Sequence, residues 1–213
     1  MTTPTRIVHC QDALQFLRDT PLLEGHAILT SLPDSSEVKR LSFAAWRQWF
    51  VDTAELVVRS TPSQSAVIFY QTDVKRDGTW VDKAYLVQRG AEAAGAHLLW
   101  HKIVCRAPAG RATFARPGYA HLLCFAHERR DAIERSTADV LPELGAMTWP
   151  RAIGLHAARA AVAWLRDDVG AHTLVDPFCG VGTALAVANQ LGLHAIGVEQ
   201  HAGRAAQARQ LQV

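Results

Sequence analysis

Residues 173–185, TLVDPFCGVGTAL, and then 195–199, AIGVE, restrict the fold more than any other part of the chain. A short apolar run ends in a carboxylate, Asp176. A loop follows through Pro177, Phe178, Cys179, Gly180, Val181 and Gly182. From Thr183 the residues are small and apolar, and a second short apolar run ends in Glu199. Brief apolar runs without alternation are the mark of strands buried on both faces, as in parallel sheets. The two loop glycines permit positive φ and close backbone approach. The small residues after them suit a helix packed tightly on a sheet, with Gly192 as its stop. Strand, glycine loop, helix, strand puts both carboxylates at the C-terminal edge of a parallel sheet, where doubly wound folds hold nucleoside-containing ligands.

Two ligand classes compete for such a loop. The dinucleotide fingerprint is G-x-G-x-x-G with an acidic residue about 20 positions on, and here Leu185 stands where its third glycine belongs. Asp176-Pro177 before the glycines is also foreign to it. A pyrophosphate gains nothing from Asp176, whereas the ammonium group of a methionine does, and Glu199 can take a vicinal diol in bidentate fashion. The residues therefore favour S-adenosylmethionine over a nicotinamide dinucleotide. The plain structural alternative is a strand–turn–helix with incidental glycines.

DPFCGVGTAL with GVE also resembles the S-adenosylmethionine-binding motifs of amino-methyltransferases that act on DNA and RNA. The resemblance implies that Asp176, Phe178, Gly180 and Gly182 surround the methionine part, and that Glu199 holds the ribose hydroxyls. Pro177, Cys179 and Thr183 belong to the same loop. In most Rossmann-like methyltransferases this loop comes first. Here it comes last, and the chain is similar along nearly its whole length to the permuted β-class of DNA amino-methyltransferases, in which the catalytic motif precedes the cofactor loop.

The N-terminal half fits that order. Residues 6–10 read as a strand and residues 11–17 begin a helix with Leu14 and Leu17 at apolar spacing. Asp12 occupies the place of a family acid that touches the adenine amino group; it is equally a good N-cap. Residues 27–29 read as a buried strand running into Ser31-Leu32-Pro33-Asp34-Ser35-Ser36-Glu37. The family carries here an acidic or polar residue, two prolines and an aromatic, which position a target amine and stack on its base. Ser31 and Pro33 match; Leu32 replaces a proline and Asp34 the aromatic. Stacking then has to come from elsewhere, with Trp46, Phe69 and Tyr70 as candidates. Ser31, Pro33, Asp34 and Glu37 are the expected catalytic residues, either acid serving as a base or holding a substrate group. The competing role of D-S-S-E is a capping box for the next helix.

Between them, residues 43–60 form an amphipathic helix pattern on Trp46, Trp49, Phe50, Thr53, Leu56 and Val57. Residues 65–73 read as a strand with a polar end, 76–78 as a turn, 82–94 as a helix, and 98–105 and 121–126 as antiparallel strands. Trp100-x-Lys102 also resembles the family. The loop 106–118 between those strands carries Arg106, Arg111 and Arg116 with Phe114 among them and no acid. That composition suits phosphate contact and base stacking; its bland counterpart is a solvated loop. Residues 128–148 read as a charged connection. Trp149, Arg151 and Gly154 stand where the family's segment before the cofactor loop packs against the methionine end, and Arg151 is a candidate for the cofactor carboxylate or a substrate phosphate.

These elements use almost all of the 213 residues, so the expectation is a single α/β domain spanning 1–213. Its fold would be Rossmann-like, doubly wound and circularly permuted, with a mostly parallel seven-stranded sheet. The gap at 128–148 leaves little room for a separate recognition domain, which favours RNA, transfer RNA included, over DNA as substrate. A net charge of +2 gives no broad nucleic-acid footprint, so a small-molecule methyltransferase and a non-catalytic S-adenosylmethionine-binding scaffold stay open. The four cysteines lack a C-x-x-C pair and ten histidines show no metal-ligand spacing. No signal peptide or long apolar run occurs, and a cytoplasmic protein with no membrane contact is expected. Acceptor atom and oligomeric state are not readable.

Overall fold

The computed structural model describes residues 3–114, 116–130 and 137–213. Parallel strands and helices alternate from the start: β1 (Arg6–His9), α1 (Ala13–Asp19), β2 (His26–Thr30), α2 (Phe43–Arg59) and β3 (Val67–Gln71). A hairpin of β4 (Val74–Arg76) and β5 (Thr79–Val81), closed by Asp77-Gly78, precedes α3 (Lys83–Ala93). Then come β6 (His97–Cys105), β7 (Tyr119–Ala126), β8 (Val140–Leu141), α4 (Leu155–Asp167), β9 (Thr173–Asp176), α5 (Thr183–Gln190), β10 (His194–Val198) and α6 (Ala202–Gln210).

The main sheet runs β1-β10-β9-β2-β3-β7-β6-β8. β7 is antiparallel to its neighbours β3 and β6, while the other pairings are parallel. β2 and β9, which lie far apart in sequence, are adjacent at the centre, with Ile28 opposite Val175. From β2 the chain winds outward through α2 to β3; from β9 it winds the other way through α5 to β10. The junction of β2 and β9 is therefore the topological switch point, where doubly wound sheets bind ligands.

Both faces are covered. Large side chains fill one face, with Trp46 and Phe50 of α2 packed with Phe69 and Phe125 and with α1 and α3. The other face is built on small residues, with Ala157, Ala158 and Ala161 of α4 and Ala184, Val187 and Ala188 of α5, so the helices sit close to the strands. Helix starts follow their caps: Asp12 accepts from Gln15 N at 2.9 Å, Ser42 from Ala45 N at 3.3 Å and Asp82 from Tyr85 N at 2.9 Å.

Three sequence expectations change. Among the described residues the sheet has eight strands, because Val140 and Leu141 pair in parallel with Ile103 and Val104. This two-residue strand lies inside the stretch read as a charged connection, of which residues 131–136 fall outside the described residues. The D-S-S-E segment caps one turn and no helix: Asp34 N donates to Glu37 Oε2 at 3.1 Å, and α2 starts later, at its own cap Ser42. Trp46 and Phe69 are fully buried, hence core and unavailable for stacking on a ligand.

Gly182, at φ +87°, is the N-cap position of α5, and a Cβ there would lie 2.9 Å from Ala208 Cα of α6. Gly192 has the same φ of +87° with nothing within 4 Å of its missing Cβ. Gly192→Ala is expected to cost about 1 kcal/mol of backbone strain. Gly182→Ala adds a backbone clash and is expected to cost about 2–4 kcal/mol. Urea unfolding of the two variants measures the difference.

Candidate active site

The strand β9 is buried along its whole length and delivers Asp176 to the switch point. Asp176 Oδ1 accepts hydrogen bonds from Thr30 Oγ1 at 2.7 Å and from Phe178 N at 3.1 Å. Thr30 is the last residue of β2, so this bond joins the two halves of the permuted sheet. Burial pushes the Asp176 carboxyl up to about 7; the bonds from Thr30 and Phe178 pull it down, and the nearby Glu199 charge adds to the rise. A carboxyl in this state is poised to accept a cationic partner.

Glu199 follows β10 and is also buried. Its Oε1 accepts from His201 N at 2.7 Å and from Arg204 Nη2 at 3.0 Å, which fixes the orientation of the carboxylate. Between the two acids the loop is held by Cys179 N donating to Val198 O at 3.0 Å and Gly182 N to Cys179 O at 2.8 Å. Burial, reinforced by Asp176 and Glu199, raises the Cys179 thiol far above its ordinary value, so it stays protonated and is no nucleophile. Trp149 lies against the loop: a Cβ on Gly180 would come within 3.2 Å of its ring. Thr148 and Thr183 share a short hydroxyl–hydroxyl bond that ties the segment before α4 to the start of α5.

Asp176, Cys179, Gly180, Thr183, Glu199 and Trp149 border a cavity of 590 Å³, a size suited to a nucleoside-containing ligand with room for an acceptor. Of the expected cofactor residues, Asp12, Asp176, Pro177, Phe178, Cys179, Gly180, Thr183 and Glu199 line it. Gly182 does not; it is turned onto α6, and its place in the motif is explained by packing. Ser31, Pro33 and Glu37 of the segment after β2 line the same cavity, so the two sequence-distant motifs meet.

Asp34 departs from the expectation. It is absent from the cavity wall, and its Oδ1 accepts from Lys83 Nζ at 2.5 Å. Lys83 is buried at the first turn of α3, and its backbone N–H donates to Asp73 at 2.8 Å. Asp34 is thus a tether for the segment and not a base facing the ligand. Glu37 faces the cavity and pairs with Arg151 at 2.7 Å, so Arg151, another cavity residue, spans from the segment before α4 to the segment after β2. Trp46 Nε1 donates to Pro33 O at 3.1 Å and fixes the segment from below.

Arg106, Arg111 and Arg116 do not line the cavity. Their loop is pinched at its base, where Arg106 N and Ala107 N donate to Gly118 O at 2.8 and 3.1 Å. Of the three stacking candidates, Tyr70 alone lines the cavity. Burial raises its phenol pKa, while Arg106 and a bond with Thr72 oppose the rise.

Sequence reasoning missed Thr30, Lys83 and the cluster around Asp73. Thr30 follows the apolar run 27–29 and could have been found as its partner at the strand tip. Lys83 gave no signal, because its burial is decided by tertiary packing. Asp73 accepts from Trp80 Nε1 at 3.0 Å and His121 Nε2 at 3.0 Å in addition to Lys83 N. Burial alone would raise its carboxyl, but these bonds hold it below its ordinary value. Asp73, Asp82 and His121 offer possible ligand atoms within 4.8 Å of one another. This proximity was invisible in histidine spacing, and Asp73 is already engaged by these three donors and by the Tyr119 hydroxyl at 3.5 Å.

No protein-family model matches the chain, and no curated protein sequence does. Solved structures do match. PvuII DNA methyltransferase (cytosine-N4-specific) aligns over 99% of this chain and 88% of its own, with a TM-score of 0.77 at 14% identity. A candidate DNA modification methylase from Thermus thermophilus, complexed with S-adenosyl-L-methionine, aligns over 96% of this chain and 91% of its own, with a TM-score of 0.71 at 19% identity. The M1.HpyAVI–SAM complex aligns over 96% and 98%, with a TM-score of 0.65 at 14% identity. Likeness at these identities is a likeness of architecture, and it establishes that the chain has the permuted, doubly wound, Rossmann-like fold of these methyltransferases.

Proposed function

We propose that this protein is an S-adenosylmethionine-dependent methyltransferase acting on an amine or hydroxyl of a nucleic acid. The observation that carries the reading is the meeting of Asp176 and Glu199, two oriented buried carboxylates, with Ser31 and Glu37 around one cavity. The donor set suits the cofactor. Asp176 offers a carboxylate for an ammonium, Glu199 offers one for a ribose diol, and Trp149 stands close against Gly180 of the loop between them. When bound, S-adenosylmethionine supplies an electrophilic methyl group on a sulfonium sulfur.

The residues of the chain supply orientation and a dry site. Asp176 and Glu199 fix the two ends of the cofactor. The segment after β2, held by Lys83 and Trp46, places Ser31 beside the acceptor, where its hydroxyl can accept a hydrogen bond from the reacting amine or hydroxyl. Glu37 is the acid of that segment that opens on the cavity and can hold the proton leaving the acceptor. Arg151, paired with Glu37 at 2.7 Å, holds it in position.

For the acceptor, the solved structures named as DNA methylases support DNA. Compactness no longer favours RNA, because those DNA methylases are matched over 88–98% of their own length. A small-molecule acceptor is the second reading, favoured by the net charge of +2. Transfer of radiolabelled methyl groups to unmethylated DNA, total RNA and a small-molecule extract separates them. Label in DNA supports the proposal, label confined to RNA moves the substrate, and label confined to the extract removes the nucleic acid.

Two further outcomes are expected. Asp176 binds a cation only when ionised, and with a carboxyl raised to about 7 calorimetric affinity for S-adenosylhomocysteine should fall about tenfold from pH 8 to pH 6. Stability of the free protein runs the opposite way. The folded carboxyl keeps its proton to higher pH than the unfolded one, so stability is greatest below the unfolded value and declines as pH rises toward 7. Asp176→Asn should flatten both profiles, and Thr30→Val, which removes a bond to the charged form, should move the binding midpoint upward.

The acids after β2 should also separate. Glu37→Gln is expected to lower the rate of methyl transfer about 100-fold with cofactor affinity unchanged. Asp34→Leu with Lys83→Met, which puts apolar side chains in place of both partners of an ion pair whose lysine is buried, should keep the rate within about threefold. Equal losses in the two variants would contradict the assignment.

A further inference from the structure

The edge of the sheet that holds the cavity continues past it. β3 ends at that edge, and the β4–β5 hairpin follows directly. Because β7 is antiparallel to β3, with Gln71 opposite His121, and β6 pairs Cys105 with Tyr119, the loop 106–118 emerges at the same edge. The hairpin and the base of the loop touch: Trp80 stacks on Tyr119 with centroids 6.5 Å apart and planes 21° apart. Trp80 is nonetheless 45% exposed, and its indole N–H is spent on Asp73 at 3.0 Å, so the ring is held rigidly with part of its surface open. Lys75 Nζ lies 4.8 Å from the centre of that ring. On the loop, Phe114 is 93% exposed between Arg111 and Arg116, both exposed. The hairpin is linked back to the cavity mouth by Arg76, which lies 4.4 Å over Phe43, shortly after the cavity residues Lys39 and Arg40.

We infer that the β4–β5 hairpin and the described residues of the loop after β6, 106–114 and 116–118, form one docking surface for an unpaired DNA strand, with Trp80 and Phe114 as stacking faces and Lys75, Arg111 and Arg116 as phosphate contacts. The inference rests on the nucleic-acid reading above and assigns its recognition to a hairpin that sequence composition gave no reason to single out. Cations interleaved with exposed rings match a polyanion that also presents flat bases. A paired duplex hides those faces, so an unpaired strand is the better complement. The acids beside the surface are few: Asp77 lies 3.5 Å from Arg76, and Asp82 is bound as the N-cap of α3. The surface is local, which reconciles strand binding with a chain whose overall charge is near balance.

Fluorescence anisotropy with a labelled single-stranded DNA oligonucleotide, its duplex and the RNA of the same sequence tests this. The wild-type protein should bind single-stranded DNA most tightly. Lys75→Gln with Arg111→Gln and Phe114→Ala should weaken that binding at least about tenfold and flatten its salt dependence by a slope of about 1.4, ~0.7 for each lost phosphate contact. Arg89→Gln, on the far part of α3, should bind as wild type. Calorimetry with S-adenosylhomocysteine should give the same affinity for all three proteins, which confirms an intact cavity. If wild type binds and methylates DNA while the triple variant binds as tightly, the docking surface is overturned and the methyltransferase reading stands. If wild type binds the cofactor product but no nucleic acid, both the docking surface and the nucleic-acid substrate fall. Tighter binding of the duplex or the RNA overturns the assignment to an unpaired DNA strand.

Discussion

A single hydrogen bond, 2.7 Å from Thr30 Oγ1 to Asp176 Oδ1, sits where two chain segments 146 residues apart run side by side. It closes the switch point between β2 and β9 and presents a desolvated carboxyl to the cavity. Burying a carboxyl this deeply is costly unless its charge is satisfied. The fold meets part of that cost with Thr30 and the Phe178 N–H and leaves the rest as a carboxyl raised to about 7. The unmet part is what a cationic ligand can supply. Position of the bond, burial and affinity for a cation are consequences of one another, and the remainder of the site is arranged around them.

The permuted order explains why the wall of the cavity is built from both termini. β2 and its following segment come from the first quarter of the chain, and the glycine loop from the last. Their union depends on the small residues of α4 and α5, which let those helices approach the strands closely, and on the bulk of Trp46 and Phe50, which supports the segment after β2 from the other face. The polar residues of that segment divide their work by direction. Ser31 and Glu37 face the cavity, whereas Asp34 is drawn away by Lys83, a lysine that is buried and committed to this one carboxylate. The acid at position 34, where the resembled motif has an aromatic, is therefore accounted for by a tether on α3.

Most of the fold was legible in the sequence because its strands are apolar and continuous and some of its helix ends can be read. Asp12 precedes an apolar periodicity and Gly192 follows one, whereas the caps Ser42 and Asp82 emerge only in the structure. The strand, glycine loop, helix and strand from β9 to β10 were legible because the glycines and the apolar runs there follow local backbone geometry. What escaped was decided at long range. Val140 and Leu141 form a strand only because the edge of β6 is available to them. Gly182 belongs to the motif but serves the contact with Ala208. The D-S-S-E pattern is a good capping signal, yet it closes a single turn because Glu37 also answers Arg151 and Asp34 answers Lys83. In each case the sequence specified the chemistry of the side chain and tertiary contacts chose its direction.

The central claim is that Asp176 and Glu199 grip opposite ends of one cofactor beside Ser31 and Glu37. A crystal structure of the protein soaked with S-adenosylhomocysteine tests it most directly. The claim requires the amino group of the ligand within hydrogen-bonding distance of Asp176, its ribose hydroxyls on Glu199, and its sulfur facing Ser31 and Glu37. A ligand bound away from Asp176, or with its ribose at Asp176 and its amino group elsewhere, would contradict it.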